Sequence, residues 1–259
     1  MLEFYKEPGI TPLTFINNIK KNYPNTKICY TARLDPMARG IVPVLFGEEC
    51  KSMYEYTNLN KTYEVKVMIG YKTDSDDVLG IIEDQYSYRN NINNINNINN
   101  INNINTKILS LNDIITKYKY FFKIENEINI EQKYHYFSTK ALLARSKEHY
   151  NKEEYYHNVK LFSSKIIDSG ELYFKEWINE CINIIDKVDK TKNFRQKEII
   201  EQWQNYLKFD IKKVQYITLQ LHVGSGFFVR QFIRDISDKI GIPLLCYDIN
   251  RTSIEYKIL

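Results

Sequence analysis

No stretch of the 259-residue chain approaches the roughly 18 uninterrupted apolar residues of a membrane-spanning helix, and the polar start Met1-Leu-Glu-Phe-Tyr-Lys6 lacks a signal peptide's apolar centre. Both absences argue against a membrane partner and for the cytoplasm, with nucleus and organelles also compatible. Cysteine is sparse: Cys29, Cys50, Cys181 and Cys246 stand far apart, with no Cys-x-x-Cys pair and no histidine at ligand spacing. Neither a disulfide framework nor a metal site is expected, and no motif calls for a cofactor. An excess of one charge is lacking too. The net charge of +4 permits a nucleic-acid partner without demanding one.

What is present suits a single domain over 1–259 with a sizeable core, because 43% of the residues are hydrophobic and a chain of this length can bury roughly 70–75% of its unfolded surface. Thr11 and Pro12 predict the start of a helix through Asn22, which Tyr23-Pro24-Asn25 ends. Glu48 to Tyr56 reads as a second helix, with Cys50, Met53 and Tyr54 on one side. Lys61 to Gly70 alternates apolar and polar residues, as a half-buried strand does, and puts Tyr63 on the face of Val65 and Val67. The acidic turn Thr73-Asp-Ser-Asp-Asp-Val-Leu-Gly80 leads to a short strand at Ile81-Ile82.

From Asn90 to Asn105 an Asn-Asn-Ile repeat matches the period of neither helix nor strand and reads as a disordered insertion at 90–105. A helix from near Ser110 to Phe122 follows, then a basic segment around Lys140 to Lys147, and a strand over His157 to Ile167 broken by Asp168-Ser169-Gly170. The region 175–208 carries charge on most faces, anchored by Trp177 and Trp203, and reads as a solvated helical insertion. Val214 to Val223 alternates as a strand with Ile217, Leu219 and Leu221 buried. After Gly224-Ser-Gly226, the apolar spacing of Phe228, Phe232, Ile233, Ile236 and Ile240 predicts a helix that Gly241 terminates. Arg230 falls in its first turn, where a cation opposes the helix dipole and calls for an acidic partner.

The stretch with the most chemistry is Thr31-Ala-Arg-Leu-Asp-Pro-Met-Ala-Arg-Gly40, which feeds the apolar run Ile41 to Phe46. Pro36 fixes its own φ and restricts Asp35, so the carboxylate sits on a stiff mount. That arrangement fits a nucleophile, and it equally fits a plain turn.

The run Leu34-Asp-Pro-x-Ala-x-Gly-x-x-Pro-x-x-x-Gly47 resembles the signature of TruB-type tRNA pseudouridine synthases. Further blocks resemble the same family, in its order: Lys6-x-Pro-x-Gly-x-Thr11, Lys61-Thr-Tyr63, Thr73-Asp-Ser-Asp-Asp-x-x-Gly80, and Gly224-Ser-Gly-Phe-Phe-Val-Arg230 with the helix behind it. Singly, a tyrosine on a strand is a core residue, an Asp-Pro a turn and an arginine a surface group. In this order together they favour the family, and the order and Pro36 favour it over the RluA type that Arg33-Leu-Asp35 also resembles.

The resemblance implies an α+β fold with a mixed, largely antiparallel central sheet flanked by helices. It implies an isomerase acting on a uridine in the T loop of tRNA, without a cofactor and as a monomer. By the same resemblance Asp35 is the catalytic aspartate, Tyr63 the ring that stacks on the uracil, and Arg230 the ion-pair partner of Asp35. Tyr30, Arg33, Lys61, Lys72 and Lys140 are the candidate RNA contacts.

The chain departs from the family in three places. Tyr30 and Ala32 replace a His and a Gly; the family's Pro-Pro-x-Tyr-Ser-Ala-x-Lys becomes Tyr134-His-Tyr-Phe-Ser-Thr-Lys140, without either proline; and no room is expected after Asn250-Arg-Thr252 for a PUA domain. Those departures leave two other readings open, an RNA-binding or RNA-folding module without turnover and a synthase acting on another RNA.

Overall fold

A computed structural model describes residues 1–83, 110–138 and 156–256. The Asn/Ile tract at 90–105 and the basic segment containing Lys140 lie outside the described residues. Eight strands form one sheet in the order β1-β3-β8-β4-β7-β6-β5, with β2 also pairing to β3. They are β1 (Leu2–Lys6), β2 (Ile28–Tyr30), β3 (Ala38–Phe46), β4 (Lys61–Ile69), β5 (Ile128–Lys133), β6 (Tyr156–Tyr173), β7 (Lys213–Val223) and β8 (Leu244–Ile254). Every pairing is antiparallel except β3 with β8. The fold is therefore the expected α+β class.

Alternation along the central strands divides the molecule into two cores, one on each face of the sheet. On one face Val65, Val67, Leu219 and Leu221 pack under α1 (Pro12–Lys20), α2 (Leu111–Phe122) and α5 (Val229–Ile240), and Tyr63 belongs to this cluster. On the other, Met68, Val214, Leu245 and Tyr247 pack under α3 (Phe174–Asp186) and α4 (Gln196–Tyr206). The caps follow the sequence. The Thr11 hydroxyl accepts from the Thr14 N–H at 3.1 Å, Ser110 and Asp113 form a reciprocal capping box, and Gly241 ends α5 at φ +68°.

Four expectations need correction. The segment Gly47–Tyr56 is a helix of 3-10 type with no fully buried residue: it lies against β2 and β3 with Cys50 and Met53 half-buried, and Tyr54 is exposed. Ile81-Ile82 forms only an isolated bridge, between Ile82 and Thr73. Strand β6 runs through Asp168-Ser-Gly170 to Tyr173, since β7 supplies a ladder from Leu161 to Tyr173 and a register shift between Ile166 and Asp168 absorbs the irregularity. The 175–208 region is not a solvated face: Trp177 and Trp203 are fully buried and stack edge to face at 5.4 Å in the second core. Its charges occupy only the outer sides of two amphipathic helices.

Candidate active site

Two buried cations hold the Asp35 loop through its backbone. Lys6 Nζ donates to the carbonyls of Asp35 (3.1 Å), Pro36 (3.2 Å) and Ala38 (2.6 Å), and the Gly9 N–H donates to Pro36 O at 2.8 Å. On the other side Arg251 of β8 donates to the carbonyls of Ala32, Arg33 and Ile41. Both cations are 1% exposed. Burial pulls the Lys6 pKa down to about 7, against the opposing charge of Asp35. Gly40 is required here. Its φ is +119°, and a Cβ there would lie 2.3 Å from the Arg251 carbonyl oxygen. Leu34 packs into the first core and Met37 into the second, so the loop is pinned on both sides of Asp35.

Held in this way, Asp35 presents a half-exposed carboxylate to Arg230, whose Nη2 donates to Asp35 Oδ2 at 2.6 Å. Arg230 also donates from Nη1 to Ser75 O (3.0 Å) and Asp77 Oδ2 (2.9 Å). The guanidinium is thus clamped between a buried acid and a half-exposed one. Burial alone would lower the Arg230 pKa, but Asp35 and Asp77 raise it on balance, so the cation is permanent. Burial pushes the Asp77 carboxyl up, opposed by Arg230.

The acidic turn gives each of its three aspartates an arginine: Asp74 pairs with Arg195 (2.7 Å), Asp76 with Arg234 (2.6 Å) and Asp77 with Arg230. Asp76 Oδ2 also meets His135 Nε2 at 2.9 Å. The start of α5 is fixed separately. Phe228, its N-cap residue, has no side-chain cap, and the buried Gln132 amide instead accepts from the Phe228 N–H (2.8 Å) and donates to its carbonyl (2.9 Å).

Of the residues singled out in the sequence, Asp35 and Arg230 meet as expected. Tyr63 is buried on β4, in register with Leu221 and Arg251 and in the same apolar cluster as Leu34. Tyr30 on β2 is partly buried against that cluster, and Arg33 is exposed. Lys72 is bonded to Asp238 at 3.0 Å. Lys61 is buried, donating to Leu59 O at 2.5 Å, with its pKa lowered to about 8 by burial and Arg251. That makes it a structural group rather than a surface cation.

Sequence reasoning gave no role to Lys6, Gln132, His135, Asp76, Asp77, Arg234 or Arg251. A signal existed for at least three of them: Lys6, Asp76 and Asp77 stood in the quoted blocks, as polar residues beside apolar strands that would need buried partners.

The described residues thus define an α+β protein with an aspartate–arginine pair at the meeting of two loops. Residues 20–112 match the model of the TruB family pseudouridylate synthase (N terminal domain). The chain is 38% identical over 77 residues to tRNA pseudouridine synthase B of Blochmanniella floridana, covering 30% of each protein. To the putative tRNA pseudouridine synthase B of Rickettsia prowazekii it is 39% identical over 79 residues, 30% of this chain and 46% of that one. The match therefore spans less than half the length of either curated relative. Among solved structures, a Cbf5-Nop10-Gar1 complex superposes with a TM-score of 0.47 at 15% identity, covering 98% of this chain and 49% of that one.

Proposed function

We propose that the protein is a pseudouridine synthase that isomerises a uridine in the T loop of tRNA, acting as a cytoplasmic monomer. The observation that carries this reading is the Asp35–Arg230 pair at 2.6 Å, whose aspartate lies within the segment that matches the TruB family model. The relatives' names, tRNA pseudouridine synthase B, support tRNA as the substrate and, by family resemblance, the T loop as the site.

The reaction redistributes bonds within one nucleotide. The N1–C1′ bond breaks, a C5–C1′ bond forms, C5 loses a proton and N1 carries one in the product, so no oxidant or second substrate enters. A carboxylate is needed in its ionised form to attack the nucleotide or to stabilise positive charge at C1′. The permanent guanidinium of Arg230 pairs with the carboxylate and fixes its orientation, while half-exposure leaves Asp35 accessible from the cleft. In this reading Tyr63 holds the detached uracil by stacking, worth roughly 1–3 kcal/mol. The target nucleotide leaves its stack at a cost of a few kcal/mol. Arg33 and Lys72 are the described candidates for phosphate contact, Lys72 by exchanging Asp238 for a phosphate.

The test is conversion of unmodified tRNA, read by mass spectrometry. Wild type is expected to form pseudouridine, and Asp35→Asn to be at least roughly 10³-fold slower while melting at the same temperature. Folded wild type that binds tRNA without forming product would put a non-catalytic RNA-binding module in place of the enzyme. Product found only in another RNA would overturn the T-loop assignment.

A further inference from the structure

His135 is 1% exposed and plays no part in the chemistry above, yet it touches the turn that carries Arg230's anchors. Arg230 Nη1 grips that turn at two points, Ser75 O and Asp77 Oδ2. Asp76 is the residue between them. Its backbone is tied on both sides, its N–H donating to Thr73 O and its carbonyl accepting from the Cys246 N–H of β8. Its φ is +59°, a left-handed conformation that disfavours any residue with a Cβ and persists only where the surroundings impose it. Two groups impose it through the carboxylate: Arg234 Nε from α5 at 2.6 Å and His135 Nε2 from the segment after β5 at 2.9 Å.

We propose that His135 is a positioning residue for Arg230, fixing Asp76 so that Ser75 and Asp77 hold the guanidinium in line with Asp35.

The bond also defines the imidazole's state. A carboxylate only accepts, so Nε2 carries the hydrogen, and Nδ1, buried without a partner among the described residues, holds a lone pair. The groups facing the ring are Asp76 and Asp77 from the turn and Arg230 and Arg234 from α5, with the neutral Cys246 thiol behind the two acids. Burial and the Arg230 charge hold the ring below the usual histidine range, against the pull of Asp76 and Asp77, so the neutral form is the working one. Protonation on the acid side adds a second cation beside Arg230 and competes for its acids.

The kinetic arm of the test rests on the proposed activity; the spectroscopic arm does not. His135→Phe keeps a ring and removes the donor, whereas His135→Gln restores an N–H for Asp76. The Phe variant is expected to lose about tenfold to a hundredfold in kcat on T-loop RNA with KM within about twofold, and the Gln variant to recover most of it. The acid limb of kcat that follows His135 should vanish in the Gln variant. Undiminished kcat in the Phe variant, or equal loss in both, overturns the proposal.

Imidazole 15N spectra provide the second arm. They should show Nε2 protonated and Nδ1 bare, with a titration midpoint that moves up in Arg230→Gln, or down in Asp76→Asn if the first variant fails to fold. A midpoint that stays put overturns the coupling whatever the activity. A midpoint that moves in a protein making no pseudouridine leaves the coupling standing and removes the proposed function.

Discussion

The Asp35 loop and the acidic turn at 73–80 meet at one guanidinium but are held by opposite means. The loop is gripped by its backbone: six of its carbonyls, those of Ala32, Arg33, Asp35, Pro36, Ala38 and Ile41, accept from Lys6 or Arg251. The turn is gripped mainly by its side chains, three aspartates each paired with an arginine from elsewhere in the fold, with the Asp74, Ser75 and Asp76 carbonyls accepting as well. The difference has a chemical consequence. Backbone anchoring leaves the single carboxylate of the loop half-exposed for reaction, whereas the turn commits two of its carboxylates, those of Asp76 and Asp77, to buried pairs that orient cations.

Breaking the shared guanidinium should have the largest effect. Arg230→Gln leaves Asp77 buried without its cation and should cost about 3–5 kcal/mol, seen as a drop in melting temperature together with lost activity. Asp35→Asn, by contrast, should abolish activity at an unchanged melting temperature, because its carboxylate is half-exposed.

Next comes the backbone grip. Lys6→Met leaves buried loop carbonyls without a donor and should cost about 1–3 kcal/mol in urea unfolding. Lys6 also predicts a pH dependence. Its folded pKa of about 7 lies below the ordinary lysine value of 10.5, so between those values the unfolded chain binds more protons at Lys6 than the folded one. The Lys6 contribution to stability therefore grows as pH rises through that window and is lost as pH falls through about 7. Wild type should show this slope between pH 7 and about 10 relative to Lys6→Met; parallel curves would contradict the assignment.

The smallest effect belongs to the outer pair of the turn. Arg195 and Asp74 are each about a third exposed, so Arg195→Gln should cost no more than about 1 kcal/mol and leave kcat within about twofold. A larger loss of kcat would show that the outer pair positions Arg230 as strongly as the inner ones.

Much of the fold was readable because its signals are local. The Thr11 cap, the Tyr63 strand, the Ser110 box and the Gly241 stop each depend on residues within a few positions of one another. Expectations failed where a distant partner overrode a local signal. Asp168-Ser-Gly170 has the composition of a turn, yet β7 holds it in a strand, and the charge-rich 175–208 region, anchored by Trp177 and Trp203 as read, packs these residues into the second core rather than lying solvated.

The site divides along the same line. The resemblance of five motif blocks to a known family singled out Asp35, Tyr63 and Arg230, and Pro36 marked Asp35 as a carboxylate on a stiff mount. They gave no reason to single out Gln132, His135 or Arg251, whose roles come from contacts 96, 59 and 210 positions away in the chain.

The sequence alone determined which groups this protein has for its chemistry and which local elements carry them, because helix caps, strand alternation and the Asp-Pro constraint are short-range physics. Only the tertiary structure decided that Arg230 reaches Asp35, 195 positions away, and that Lys6, Arg251, Asp77 and the His135–Asp76 pair hold the two in line. Buried polar groups must find partners wherever the fold places them, and no local pattern records where those partners will be.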